Sequence, residues 1–267
     1  AFFMRLLLVI LLTILSLVSK AQIANRFQVG ESLTYDIYYS LMGVWVGAGD
    51  VTFSVLQDSI YGKPCYHFKG FGKTYPRYDW FYKVRDTYEA YSDQQTLKPF
   101  RFRRDVSEGN FFMTEENIYN HKSQEIIVLL KEKDDPIIKD TIPYEEGSFD
   151  VLSLIYHARS LDFEHYEEGQ KIPIKMVIDK ETYDLYIRYL GIDVYDHSKF
   201  GEIECYVFSP LLVEGTIFKS GEKMKVWVTR DENVIPVYVQ SEIRVGSIRS
   251  EIRNYKGLKT GEIEAFV

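Results

Sequence analysis

The sequence predicts a mainly β protein: antiparallel, with two pseudo-repeated β-meanders forming a curved sheet or two half-open barrels around one main helix. Three observations carry this. Most of the chain alternates apolar and polar residues at period two, the mark of strands with one face buried and the other wet. One segment alone has a clear helical period. Matched positions such as Cys65 and Cys205, or Pro99 and Pro236, recur in the same order in the two halves of the chain.

The elements follow in chain order. Met4-Arg5, the apolar run Leu6 to Leu15 and Ser19-Lys20-Ala21 have the layout of a cleaved signal peptide, residues 1–21, with Gln22 as the mature N-terminus. The expected address is therefore the periplasm, with outer-membrane association left open. Removal of Arg5 and Lys20 with no acid turns the net charge of −7 into −9. A net acidic chain without a basic cluster argues against a nucleic-acid partner. Residues 22–143 form the first β block, and residues 144–267 the central helix and the second, most simply as one compact unit.

Within the strands, Phe100 and Phe102 alternate with Arg101 and Arg103. Tyr183, Leu185, Ile187 and Tyr189 do so with Asp184, Tyr186 and Arg188, and Ile248 and Ile252 with Arg249, Glu251 and Arg253. Turn clusters at Asp58-Ser59, Tyr61 to Pro64, Ser92 to Gln94, Lys133 to Pro136 and Arg230 to Asn233 divide the chain into roughly 14 to 17 strands. Pro99 and Pro236 belong at strand starts or edges, where a missing N–H costs least. Gly47-Ala48-Gly49 reads as a bulge or a close backbone approach. A short helical turn is expected at Pro76 to Tyr82, with Pro76 in its first position.

The main helix is expected over Phe149 to Leu161, with Ser148 as N-cap and Asp150 at its positive end. Its apolar stripe, Phe149, Leu152, Ile155 and Tyr156, is widened by Val151, Leu154 and Ala158, which suits a helix laid into the concave side of a sheet. The repeat runs alongside. Gly30-Glu31 matches Gly169-Gln170, Cys65-Tyr66 matches Cys205-Tyr206, and Tyr91, Asp93 and Pro99 match Trp227, Asp231 and Pro236. Gly109 matches Gly246, and Tyr119 matches Tyr255.

These same stretches carry a resemblance. Asp86, Tyr88, Tyr91, Asp93, Leu97, Pro99 and Phe102 resemble the first signature of domain of unknown function 3108, a family of exported Gram-negative proteins. Asp150 to Arg159 is similar to its central motif. Val226 to Asp231, Ile235-Pro236 and Val245-Gly246-Ser247 are similar to its third, although Arg230 stands where the family often has an acid. The resemblance covers nearly all of residues 27–257. It implies a secreted or periplasmic protein without an assigned activity, and a sheet curled around helices like that of lipoprotein-carrier proteins.

No arrangement of residues spells out chemistry. Gly70-Phe71-Gly72-Lys73-Thr74 ends like a phosphate loop but has His67 where the first glycine is required. The histidines, His67, His121, His157, His165 and His197, lack zinc-site spacing, so neither metal nor cofactor is expected. Ser153 and His157 share a helix face but more simply bond locally. Cys65 and Cys205 either form a disulfide or pack as separate buried thiols. The candidates for ligand contact are Asp150, Ser153, Tyr156 and Arg159 on the helix, and Tyr78, Trp80 and Tyr82 in the aromatic cluster that runs from Tyr66 to Tyr91. The expected function is non-catalytic binding of an apolar (lipid) or glycan ligand, or of an envelope protein. An outer-membrane barrel and an envelope hydrolase with a site assembled from distant residues are the alternatives.

Overall fold

The computed structural model describes residues 25–212, 220–243 and 245–265. The expected signal peptide lies outside the described residues. Fifteen strands form one sheet: β1 (Ser32–Leu41), β2 (Val44–Ile60), β3 (Lys63–Thr74), β4 (Arg85–Asp93), β5 (Pro99–Glu108), β6 (Phe111–Asn120), β7 (Glu125–Glu132), β8 (Ile138–Pro143), β9 (Ser148–Phe149), β10 (Lys171–Ile178), β11 (Glu181–His197), β12 (Gly201–Pro210), β13 (Met224–Thr229), β14 (Pro236–Glu242) and β15 (Ser247–Lys256). One α-helix, α1 (Val151–Arg159), follows β9.

The order across the sheet is β8 to β1, then β15 to β9. Every neighbour is antiparallel except the short β9, which runs parallel to β10. Two sequential meanders are therefore joined at the centre by β1 and β15, which pair from Ser32↔Lys256 to Ser40↔Ser247. Connectivity then dictates curvature. Laid flat, fifteen strands would span about 65–70 Å at the usual strand spacing. Yet the two outermost strands, β8 and β9, are joined directly by the chain from Pro143 to Ser148, a reach of at most about 18 Å. The sheet has to curl until its edges approach, as an open barrel with a seam. Arg104 on β5 ties the β10–β11 turn to the first meander through ion pairs with Asp179 and with Glu115 on β6.

Local chemistry explains where the sheet bends. Tyr38 sits opposite Gly47 and Ile37 opposite Gly49, which leaves Ala48 bulged. A Cβ on Gly49 would lie 2.1 Å from the Lys73 carbonyl oxygen, so only glycine fits that approach. Phe100 is bulged out against Tyr91 and Ser92, and Val237 against Trp227 and Val228. Pro99 and Pro236 each open their strand beside these bulges, deep in the sheet rather than on its edge.

The helix begins later than its best-looking cap. Ser148 bonds back to Glu145 and pairs with Lys175 in the sheet, so it serves a strand. Asp150 is the N-cap instead, its Oδ1 accepting from the Ser153 N–H at 2.9 Å. The helix ends at Arg159, two residues short of Leu161, and a tight turn at Phe163–His165 follows. The turn at Pro76–Tyr78 stands where it was expected, with Pro76 first.

Candidate functional site

Helix α1 lies inside the curled sheet, chiefly against β3, β4, β9 and β10. Its wide apolar stripe divides into two faces. Leu152 and Tyr156, one turn apart, pack into the first meander, with the Tyr156 ring stacked on Phe68 at 3.9 Å and edge-on to Phe27 at 4.9 Å. Leu154, Ile155 and Ala158 face the second meander, Leu154 packing also within the core of the first meander and Ala158 against that of the second. Between them lies a cavity of about 330 Å³, within the size range of small-ligand sites.

The walls of this cavity are apolar. Ile174, Ile187, Phe208, Val226 and Val239 come from successive strands of the second meander, and Leu33, Tyr35, Val51 and Phe53 from β1 and β2. Pro210, which ends β12, and Met224, which starts β13, line one end. Arg159, Phe163 and Val234 line the other, all of them buried. Ile155 is partly exposed, so the cavity communicates with solvent.

Arg159 brings the only charge to these walls, and that charge is fully committed. It is 3% exposed and its partner Glu31 1%. Nη1 and Nη2 donate to the Glu31 carboxylate at 2.5 and 2.9 Å, a bidentate pair. Nε donates to the Val234 carbonyl at 3.2 Å, and Nη2 also reaches the carbonyls of Asn233 at 2.9 Å and Arg26 at 3.4 Å. The guanidinium also lies over the Phe27 and Tyr156 rings. With its charge matched by Glu31, Arg159 staples the helix end to the residue that precedes β1 and to the β13–β14 loop. Burial pushes the Tyr35 and Tyr156 phenols far above their ordinary range, so both stay neutral. Among the described residues, no group bonds the buried Tyr156 hydroxyl.

The other helix candidates sit elsewhere. Asp150 and Ser153 form a closed chain: Ser153 Oγ donates to Asp150 Oδ2 at 2.6 Å and shares a hydrogen bond with Ser92 Oγ at 2.7 Å. Complete burial raises the Asp150 carboxyl to about 6, against the opposing pull of its hydrogen bonds to Ser153. His157 stacks on Phe149 and does not bond Ser153; burial lowers its pKa. No nucleophile–base pair results. The aromatic cluster divides as well: Tyr66 and Phe68 belong to the core, whereas Tyr78, Trp80 and Tyr82 ride on the β3–β4 connection, with Trp80 85% exposed. They form no part of the cavity. Cys65 and Cys205 are separate buried thiols, six strand positions apart in the sheet. Burial raises the Cys65 thiol and pushes that of Cys205 up to about 12. Among the described residues, no group of three or more His, Cys, Asp or Glu is placed to hold a metal.

Sequence reasoning missed Glu31, Arg104 and Glu115. The signal was parity: Glu31 shares the inward phase of Leu33 and Tyr35, and Arg104 that of Phe102 and Val106, all buried.

A curled antiparallel sheet with a helix inside it and an apolar hollow beside that helix defines a barrel-like protein. The chain belongs to the DUF3108 family: the profile of a protein of unknown function (DUF3108) matches residues 34–253. Among solved structures it is similar to a beta-barrel-like protein of domain of unknown function DUF1849 from Brucella abortus. The TM-score is 0.55 at 10% identity, over 87% of this chain and 99% of that one. Curated proteins provide no match to the sequence.

Proposed function

We propose that the protein is an exported, non-catalytic binding protein that holds an apolar ligand, of the acyl-chain class, between α1 and the second meander. The cavity of about 330 Å³ carries this reading. Its walls offer neither a free charge nor the array of hydrogen-bonding groups that a glycan requires, and a neutral hydrocarbon is what they exclude from water best. The N-terminal signal in the sequence supports export. Charged pairs on the sheet, Arg101–Glu116 and His67–Glu89–Lys69, oppose the outer-membrane barrel, which needs a lipid-facing apolar row.

The test is titration with a fluorescent acyl probe. Wild type should bind it with saturation, and Ala158→Phe, which projects a ring into the cavity, should bind it at least about tenfold more weakly. Displacing even two methylenes forfeits about 1.6 kcal/mol. Equal binding by both proteins, or none by wild type, would remove the reading.

Two pseudo-repeated meanders belong to the same proposal. The supports are the matching bulges at Phe100 and Val237 and left-handed residues at Leu97 and Val234, and at Gly109 and Gly246. Asp93 and Asp231 also each accept two backbone N–H groups of their own loop. A crystal structure with the two bulges out of step would undo it.

A further inference from the structure

We propose that one rim of the barrel docks on an anionic lipid bilayer, and that the cavity takes its occupant through that rim. The second clause rests on the acyl-ligand reading above; the first does not. Strand alternation puts the β1–β2, β3–β4, β5–β6 and β14–β15 connections at one end of the sheet. The end of β12 and the start of β13, where Pro210 and Met224 line the cavity, lie at that same end.

Those four connections, with the strand residues just beyond them, hold nine of the eighteen exposed large apolar side chains among the described residues. Trp80, Phe81 and Tyr82 are consecutive at one tip, the first two 85% and 78% exposed; Phe111 and Phe112 stand at the next, and Met42 at a third. The tips form one continuous surface. Arg77 Nη2 donates to the Gly47 carbonyl at 3.1 Å, the Tyr82 ring covers Gly109, and the Tyr39 hydroxyl reaches the Val245 carbonyl at 3.0 Å.

Two features select a bilayer as the occupant. The aromatic side chains sit on the tips of separate hairpins instead of lining one flat, packable face, and Trp, Tyr and Phe at such tips suit the headgroup layer. The charge is also of the right sign. On a chain of net −7, this rim carries Lys73, Arg77, Lys83, Arg85 and Arg249 against Asp79, Asp86, Glu108 and Glu242, with Asp79 held by Arg85 at 2.6 Å and Glu242 3.6 Å from Lys223. Arg77 lies over Tyr75 and Tyr78, and Arg249 over Tyr38 and Trp45, so cations and rings are presented together.

The experiment uses the full mature chain with Trp45→Phe and Trp227→Phe, which leaves Trp80 as the sole indole reporter. Vesicles of phosphatidylethanolamine with phosphatidylglycerol should shift its emission to the blue, and brominated acyl chains should quench it. Trp80→Ser with Phe81→Ser, read by sedimentation with the vesicles, should weaken partitioning at least about tenfold while acyl-probe binding in the cavity is unchanged. Ala158→Phe should do the reverse. If probe binding fails but vesicle binding holds, the cavity reading falls and the rim stands. Unchanged Trp80 emission, or a serine variant that partitions like its parent, overturns the rim proposal. So does a concentration-dependent dimer that the serine variant abolishes, since the rim would then be an interface between copies.

Discussion

Replacing Arg159 with methionine tests the staple at the closed end of the cavity. The substitution keeps a long apolar stem but leaves Glu31, 1% exposed, without a counter-charge. It also removes the donors to the carbonyls of Val234, Asn233 and Arg26. Breaking a buried pair from one side costs about 3–5 kcal/mol, and each carbonyl that water cannot reach adds up to about 1 kcal/mol. The expected loss is thus about 4–6 kcal/mol, a large share of the roughly 5–15 kcal/mol that holds a typical domain folded. Adding Glu31→Met should return about half of it, because the stranded carboxylate is then gone. Urea unfolding followed by circular dichroism measures both, as a shift in midpoint at constant slope. A single substitution costing under about 1 kcal/mol, or a double variant costing the sum of the two singles, would refute the reasoning.

Further outcomes are expected elsewhere. The folded-state Asp150 carboxyl is raised to about 6, above its unfolded value near 4. Between those values the native state holds a proton that the unfolded state has lost, so this group's contribution falls as pH rises through the window. The stability gap between wild type and Asp150→Asn, which keeps a capping side chain, should therefore move against wild type by on the order of 2 kcal/mol between pH 4 and pH 7; a gap flat with pH would contradict it. Cys65 and Cys205, buried and unpaired, should react with a thiol reagent only after unfolding, and a mass showing both thiols blocked in native protein would count against the packing. Gly49→Ala should cost several kcal/mol in thermal or urea unfolding, because its Cβ would meet the Lys73 carbonyl at 2.1 Å; a neutral result would mean that β2 and β3 can separate there.

Much of the architecture was legible because it rests on local periodicity and turn chemistry. The strands, the turn at Pro76 and the helix α1 follow from patterns within ten or so neighbouring residues. The helix start was not legible: Ser148 and Asp150 are both good caps, and what decides between them is the parallel pairing of Ser148 with Lys175, a contact between distant segments. The stripe along α1 looked wide for a reason that became visible only in three dimensions, since one half packs and the other lines a hollow. That hollow draws its walls from β1 to β15, and no local window contains it. Glu31 and Arg104 escaped because inward positions were expected to be apolar. Trp80 and Tyr82 were grouped with Phe68 by density along the chain, yet the turn opened by Pro76 carries them off the sheet.

The join between β1 and β15 has a consequence for how the polypeptide is made. Ser32 finds its partner at Lys256, so the ladder that unites the two blocks is among the last to become available as the chain emerges. Until then, β1 offers an open row of amides and carbonyls, flanked by Leu33 and Tyr35, which are meant for the core. A chain stopped before Ser247 would keep that edge uncovered permanently and would be prone to pair with its own kind.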